Sequence, residues 1–163
     1  MGQFIAKCAG IKDGKYADRY GKRGLRNRFG MPIISPPVEM IDPPKNTVSY
    51  ALVMEDKDAF PVCGFSYIHW TACNITTDSI PEDASRQGLF TQGVNSWFVS
   101  APSKECACYG GMAPPNAPHI YEIHVYALDK LLDLTDGFLY NELYRAMDGH
   151  ILAESTIKGI YDN

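Results

Sequence analysis

The chain has 163 residues, 45% hydrophobic and 21% charged, which is ordinary usage for a globular domain with its own core and excludes a disordered chain. A formal charge of −4 and a pI near 5.5 argue against nucleic acid as a partner, because a phosphate backbone requires a basic face. No window reaches the ~18 apolar residues of a membrane span, no apolar signal core opens the chain, and Ala6 breaks the myristoylation pattern, so a cytoplasmic location is expected.

Residues 1–31 are rich in glycine and charge and lack a period, so they read as irregular with at most one short strand. Seven Lys/Arg between Lys12 and Arg28 read as a solvated face. Prolines 32, 36, 37, 43 and 44 then exclude long regular structure and leave room for a short edge strand in "PPVEMI". "TVSYALVMED" alternates and then turns continuously apolar, as a strand entering a core does. "FSYIHWTACNI" follows as a second strand. Strict alternation would put His69 with Tyr67 and Thr71, and Ile68 with Trp70 on the opposite face. "DSIPEDASRQG" reads as a loop with one helical turn.

The segment from Asn95 to His119 is irregular, and its aromatic and cysteine content argues for function rather than disorder. "IYEIHVYALD" alternates cleanly, with Ile120, Glu122, His124 and Tyr126 on one face. "GFLYNELYRAMDGH" is a helix with a stripe of Leu139, Leu143, Ala146 and Met147, ended by Gly149. "ESTIKGIYD" closes the chain as a strand. These elements make one mainly β domain over residues 1–163 with one or two peripheral helices, and argue against a doubly wound parallel sheet.

Five cysteines, Cys8, Cys63, Cys73, Cys106 and Cys108, read as free thiols. The Cys106-x-Cys108 spacing suits neither a zinc site nor a redox pair. No nucleophile elbow and no P-loop occurs. Three places concentrate reactive types: Asp56-Lys57-Asp58, His69, and Tyr109–Tyr121 with Gly110-Gly111 and His119. Each has a plain reading, namely a strand-ending aspartate, a core histidine and a tight turn. Each also has a functional reading as a wall of a pocket. By residue type alone, His69, His119 and Asp56 could equally form a facial metal triad serving a metal-dependent enzyme.

Taken together these motifs resemble the phosphatidylethanolamine-binding protein family, also called Raf kinase inhibitor-like, and within it the bacterial and archaeal YbhB/YbcL-type branch. Asp56-Lys57-Asp58-Ala59-Phe60 is similar to the family's D-P-D-A-P, with both prolines replaced. Ile68–Ile75 is similar to its H-W-V strand leading to an asparagine. Tyr109–Pro115 and His119–Tyr121 follow Y-x-G-P-x-P-P and H-R-Y, with Met112 for a proline and Ile120 for an arginine. The similarity runs over residues 29–161 and leaves 1–28 as an irregular N-terminal segment.

The resemblance implies two antiparallel β-sheets and a small pocket for phosphate, acetate or a phosphorylated headgroup. It places Asp56, His69, Gly110, Gly111, His119 and Tyr121 in that pocket. The two imidazoles, the Gly-Gly backbone N–H groups and the tyrosine hydroxyl would be the anion's donors. Asp56 would orient a histidine or accept from the ligand. Asp58, Pro114 and Pro115 would support the loops, Asp58 through backbone hydrogen bonds, while Glu55 is expected to be solvated. The resemblance further implies a binding protein, not an enzyme, with no cofactor or metal, able to engage a partner protein and to form a homodimer. An interaction protein with a vestigial pocket is the other alternative, with Lys57, Phe60 and Met112 as its signature.

Overall fold

The computed structural model describes residues 2–163 and is mainly β. Its elements are β1 (Ile5–Lys7), β2 (Ile11–Lys12), β3 (Lys15–Tyr16), β4 (Val38–Ile41), β5 (Ser49–Asp56), α1 (Phe60–Cys63), β6 (Tyr67–Ile75), β7 (Ser79–Ile80), α2 (Ala84–Gln87), β8 (Thr91–Gln92), β9 (His119–Leu128), α3 (Tyr140–Met147) and β10 (Ile151–Tyr161). A small sheet runs β1-β4-β7 and a large one runs β2-β3-β10-β9-β5-β6-β8. The pairings are antiparallel, as expected, with one short parallel pairing between β3 and β10.

β5 explains the architecture. It lies between β9 and β6 and is covered on both faces, which is why its sequence is continuously apolar. Tyr50, Leu52 and Met54 enter a core shared with Val38 and Met40 of β4, Trp70 of β6 and Ile123 of β9. Ala51 and Val53 enter a second core under α3, where Leu143 and Met147 are buried. Burying each of those two side chains contributes about 1.5–3 kcal/mol. Leu139 does not join the stripe: it is the N-cap residue of α3 and is exposed. Gly149 takes φ 77° after the helix, as its place in the sequence suggests. Among the described residues no helix is long and apolar enough to cross a membrane.

Three expectations change. The N-terminal segment is part of the fold: it supplies three strands, and Tyr20 is fully buried in the main core. β4 is the central strand of the small sheet rather than an edge, because β1 pairs on one side and β7 on the other. Alternation also fails along β6. Met54 pairs with Trp70 but Glu55 pairs with Ile68, so His69 is the extra residue of a bulge. Trp70 therefore joins the main core with Tyr67's side of the strand, Ile68 leans on the opposite core, and His69 stays on the Tyr67 side.

Candidate functional site

Strand period and pairing register bring the site together. Asp56 ends the inward series Tyr50, Leu52, Met54, and His119 and Tyr121 open the inward series of β9. Asp56 pairs with Tyr121 on one side and with Tyr67 on the other. β6 adds His69 on the same side as Tyr67, its ring 5.2 Å from Tyr121 and 4.9 Å from Tyr67 between centroids. Asp56, His69 and His119 are only 3%, 4% and 3% exposed. They form the polar floor of a cleft of about 170 Å³ that also contains Tyr121. Its walls are otherwise largely apolar: Val62 and Cys63 of α1, Tyr67, Trp97, and the loop Ala113-Pro114-Pro115.

The hydrogen bonds define what the floor offers. His119 Nδ1 lies 2.7 Å from Asp56 Oδ2, and its Nε2 lies 2.8 Å from Oδ1 of the exposed Asn116. His69 Nδ1 lies 2.6 Å from the carbonyl oxygen of Gly110. A carbonyl only accepts, so Nδ1 carries the proton and donates it. In the neutral ring Nε2 is then the lone-pair nitrogen. Burial lowers the His69 pKa from its ordinary 6.5, against the opposing pull of the Gly110 carbonyl and Asp56, and so favours that neutral form. Burial first, and then the Asp56 charge, hold the Tyr121 hydroxyl protonated well above the usual phenol range. Asp56 Oδ1 is buried and has no hydrogen-bond partner.

The two glycines do not act as the anticipated donors. Gly110 N–H donates to the His69 carbonyl and Gly111 N–H to the Pro32 carbonyl, each at 2.8 Å, so neither is free for an anion. Gly110 instead fixes His69 through its own carbonyl. Neither position has room for a side chain: a Cβ on Gly110 would approach Trp97, Asn95 and Met31 to 2.5–2.9 Å, and one on Gly111 would meet Tyr20 and Pro32. Asp58 does hold the loop, accepting the Ile120 N–H at 2.8 Å through Oδ2. Pro114 and Pro115 line the cleft itself.

Glu55 is not solvated as expected. It faces away from the cleft, accepts from Ser66 Oγ at 2.8 Å, and joins Lys57, Glu122 and His124 in an ion-pair network. Among the described residues, Glu55, Glu122 and His124 are the acid and histidine group with ligand atoms close enough for a metal, within 4.8 Å. The Lys57 ammonium already lies 3.1 and 2.8 Å from the two carboxylates, which makes the group an ion-pair network. The triad of His69, His119 and Asp56 is arranged for hydrogen bonding, with three of its four imidazole nitrogens engaged.

The departures from the family pattern have separate fates. Lys57 points into that opposite-face network, Phe60 is 57% exposed at the start of α1, Met112 is fully buried, and Ile120 is 47% exposed. Sequence reasoning overlooked α1, Trp97 and Asn116. Pro61 followed three residues later by Gly64, which takes φ 87°, was the local signal for the single turn of α1.

A family model described as phosphatidylethanolamine-binding protein matches residues 8–162. The chain is 45% identical over 155 residues to YxkA of Bacillus subtilis, covering 90% of this chain and 89% of that protein. It is 33% identical over 133 residues to a UPF0098 protein of Chlamydia trachomatis, covering 79% and 83%. The crystal structure of the phosphatidylethanolamine-binding protein homolog CT736 from Chlamydia trachomatis superposes with a TM-score of 0.81 at 29% identity, over 99% of this chain and 98% of that one. That of Escherichia coli YbcL superposes with a TM-score of 0.79 at 23% identity, over 99% of each chain, and shows the fold.

Proposed function

Because the chain belongs to the phosphatidylethanolamine-binding protein family, we propose that it binds a small anion, phosphate or a phosphorylated headgroup, in the cleft floored by Asp56, His69, His119 and Tyr121. The observation that carries this reading is the convergence of four buried polar side chains at the bottom of an otherwise apolar, open cleft. Such a site takes a polar head on its floor and an apolar substituent along its walls. Tyr121 lines the cleft with a hydroxyl that can donate to the ligand, His119 is held by Asp56, and His69 is held by Gly110.

The reading is of a binding protein. The Asp56–His119 pair has the shape of an acid–base dyad, but its outer nitrogen meets Asn116 and not a nucleophile. The thiol of Cys63, in the same cleft, is turned to the carbonyls of Ala59 and Phe65 at 3.4 Å. The five free thiols fit a reducing, cytoplasmic setting. A second reading, a partner protein docking at the mouth, is favoured by the exposed Phe60, Val62, Phe98 and Val99. Titration with inorganic phosphate, watched by histidine NMR, tests the first reading. Shifts of His69 and His119 at millimolar phosphate are expected. Shifts confined to other residues would contradict it.

A further inference from the structure

The cleft has no lysine or arginine cation, and its side-chain donors are neutral: the Tyr121 and Tyr67 hydroxyls and the buried, unpartnered Trp97 Nε1–H. Among its twelve lining residues there is one carboxylate, Asp56. The nearest lysine in sequence, Lys57, turns to the opposite sheet face. His69, with Nδ1–H engaged by Gly110, presents Nε2 as an acceptor, and Asp56 keeps Oδ1 without a partner while Oδ2 holds His119. An anion stripped of all its protons would meet a lone pair and a carboxylate, with no full cation from Lys or Arg to offset either. Buried acceptors left without a proton cost stability, and like charges repel strongly at low dielectric.

Resting on the anion reading above, we infer that the cleft selects an anion that still carries an acidic proton, as the monoanion of phosphate or a phosphate monoester does and a sulfate does not, with His69 Nε2 and Asp56 as its acceptors. The ligand hydroxyl donates to Nε2 or to the Asp56 carboxylate, while Tyr121 donates to a ligand oxygen. The titratable groups that face this region are His119 and Tyr121 from β9, Tyr67 beside His69 on β6, Cys63 from α1 and Asp58 from the turn after β5. Burial favours the neutral form of His69, in which Nε2 has no proton to give the ligand.

The test compares matched ligands on the full chain by calorimetry and histidine NMR: phosphate against sulfate, and phenyl phosphate against phenyl sulfate. Measurements are made at about pH 5.5 and about pH 8, on either side of a monoester's second ionisation. Phosphate and phenyl phosphate are expected to bind at the lower pH, with the sulfates weaker on the order of 100-fold, the scale of one unsatisfied buried acceptor. Phenyl phosphate should weaken at the higher pH. Asp56→Asn, whose amide can donate, should shrink the phosphate-over-sulfate preference at least several-fold. If that variant does not fold, the comparison of ligands and pH on the native chain decides alone. Equal binding of phosphate and sulfate, or tighter phosphate binding at the higher pH, would overturn the inference and leave the anion reading standing. Binding of neither anion would overturn both.

Discussion

Gly110→Ala is a demanding perturbation of this site, because the residue sits behind the cleft and not in it. Its backbone φ is unexceptional, so the cost is steric. The added methyl would lie 2.5 Å from Trp97 Cδ1, 2.7 Å from Asn95 Nδ2 and 2.9 Å from Met31 Sδ. Asn95 cannot yield freely: it is buried, donates to the Cys108 carbonyl at 2.8 Å, and accepts the Trp97 N–H at 2.9 Å. Overpacking of a tight interior costs about 1–3 kcal/mol, and weakening one of those hydrogen bonds adds about 1 kcal/mol. A loss of about 2–4 kcal/mol follows, which for a chain of this size lowers Tm by roughly 4–16 °C. Urea unfolding followed by tryptophan fluorescence measures the first number and calorimetry the second. Because Gly110 also accepts from His69 Nδ1, histidine NMR of the variant should show a changed ring environment. A stability change below about 0.5 kcal/mol, the level of an ordinary surface substitution, would refute the claim that close packing fixes this loop.

Three further outcomes can be checked. Gln92→Leu removes the acceptor for Trp70 Nε1–H at 2.9 Å and for the Ser85 hydroxyl at 2.6 Å, both buried, and should cost about 2–4 kcal/mol in urea unfolding. Asp58→Ala frees the Ile120 N–H on an exposed edge and should cost about 1 kcal/mol, while loosening His119 enough to broaden its NMR signal. Hydrogen bonding from Lys57, ahead of opposing burial, holds the Glu122 carboxyl below its usual 4.5, and hydrogen bonds from Ser66, Lys57 and His124 outweigh burial to lower Glu55 as well. Carboxyls lowered in the folded state contribute stability above their unfolded pKa and lose it as pH falls through the folded one. Lys57→Met should therefore move the acid-unfolding midpoint to higher pH, as followed by circular dichroism.

Much of the fold was legible because period and burial coincide. β9 keeps strict alternation from His119 to Ala127, and β5 is apolar because it is covered twice. The site was legible only in part. Asp56, His119 and Tyr121 follow from the same period, and His69 keeps the face that alternation gives it with Tyr67, but the bulge that turns Trp70 to that same side depends on how β6 registers against β5, a non-local fact. The Gly-Gly N–H groups looked available because a sequence does not show that the carbonyls of His69 and Pro32 occupy them. Glu55 looked solvated because its partners Glu122 and His124 lie on another strand, about seventy positions away. The small N-terminal strands escaped notice because strands of two or three residues carry almost no periodicity.

The proposed position of the anion is the cleft floor between His69 and Tyr121. A crystal structure of the full chain soaked in inorganic phosphate below neutral pH tests it most directly. A phosphate is expected within hydrogen-bond distance of His69 Nε2 and the Tyr121 hydroxyl, with His69 Nδ1 still on the Gly110 carbonyl. A phosphate bound only elsewhere, or a floor that stays empty at saturating phosphate, would contradict it.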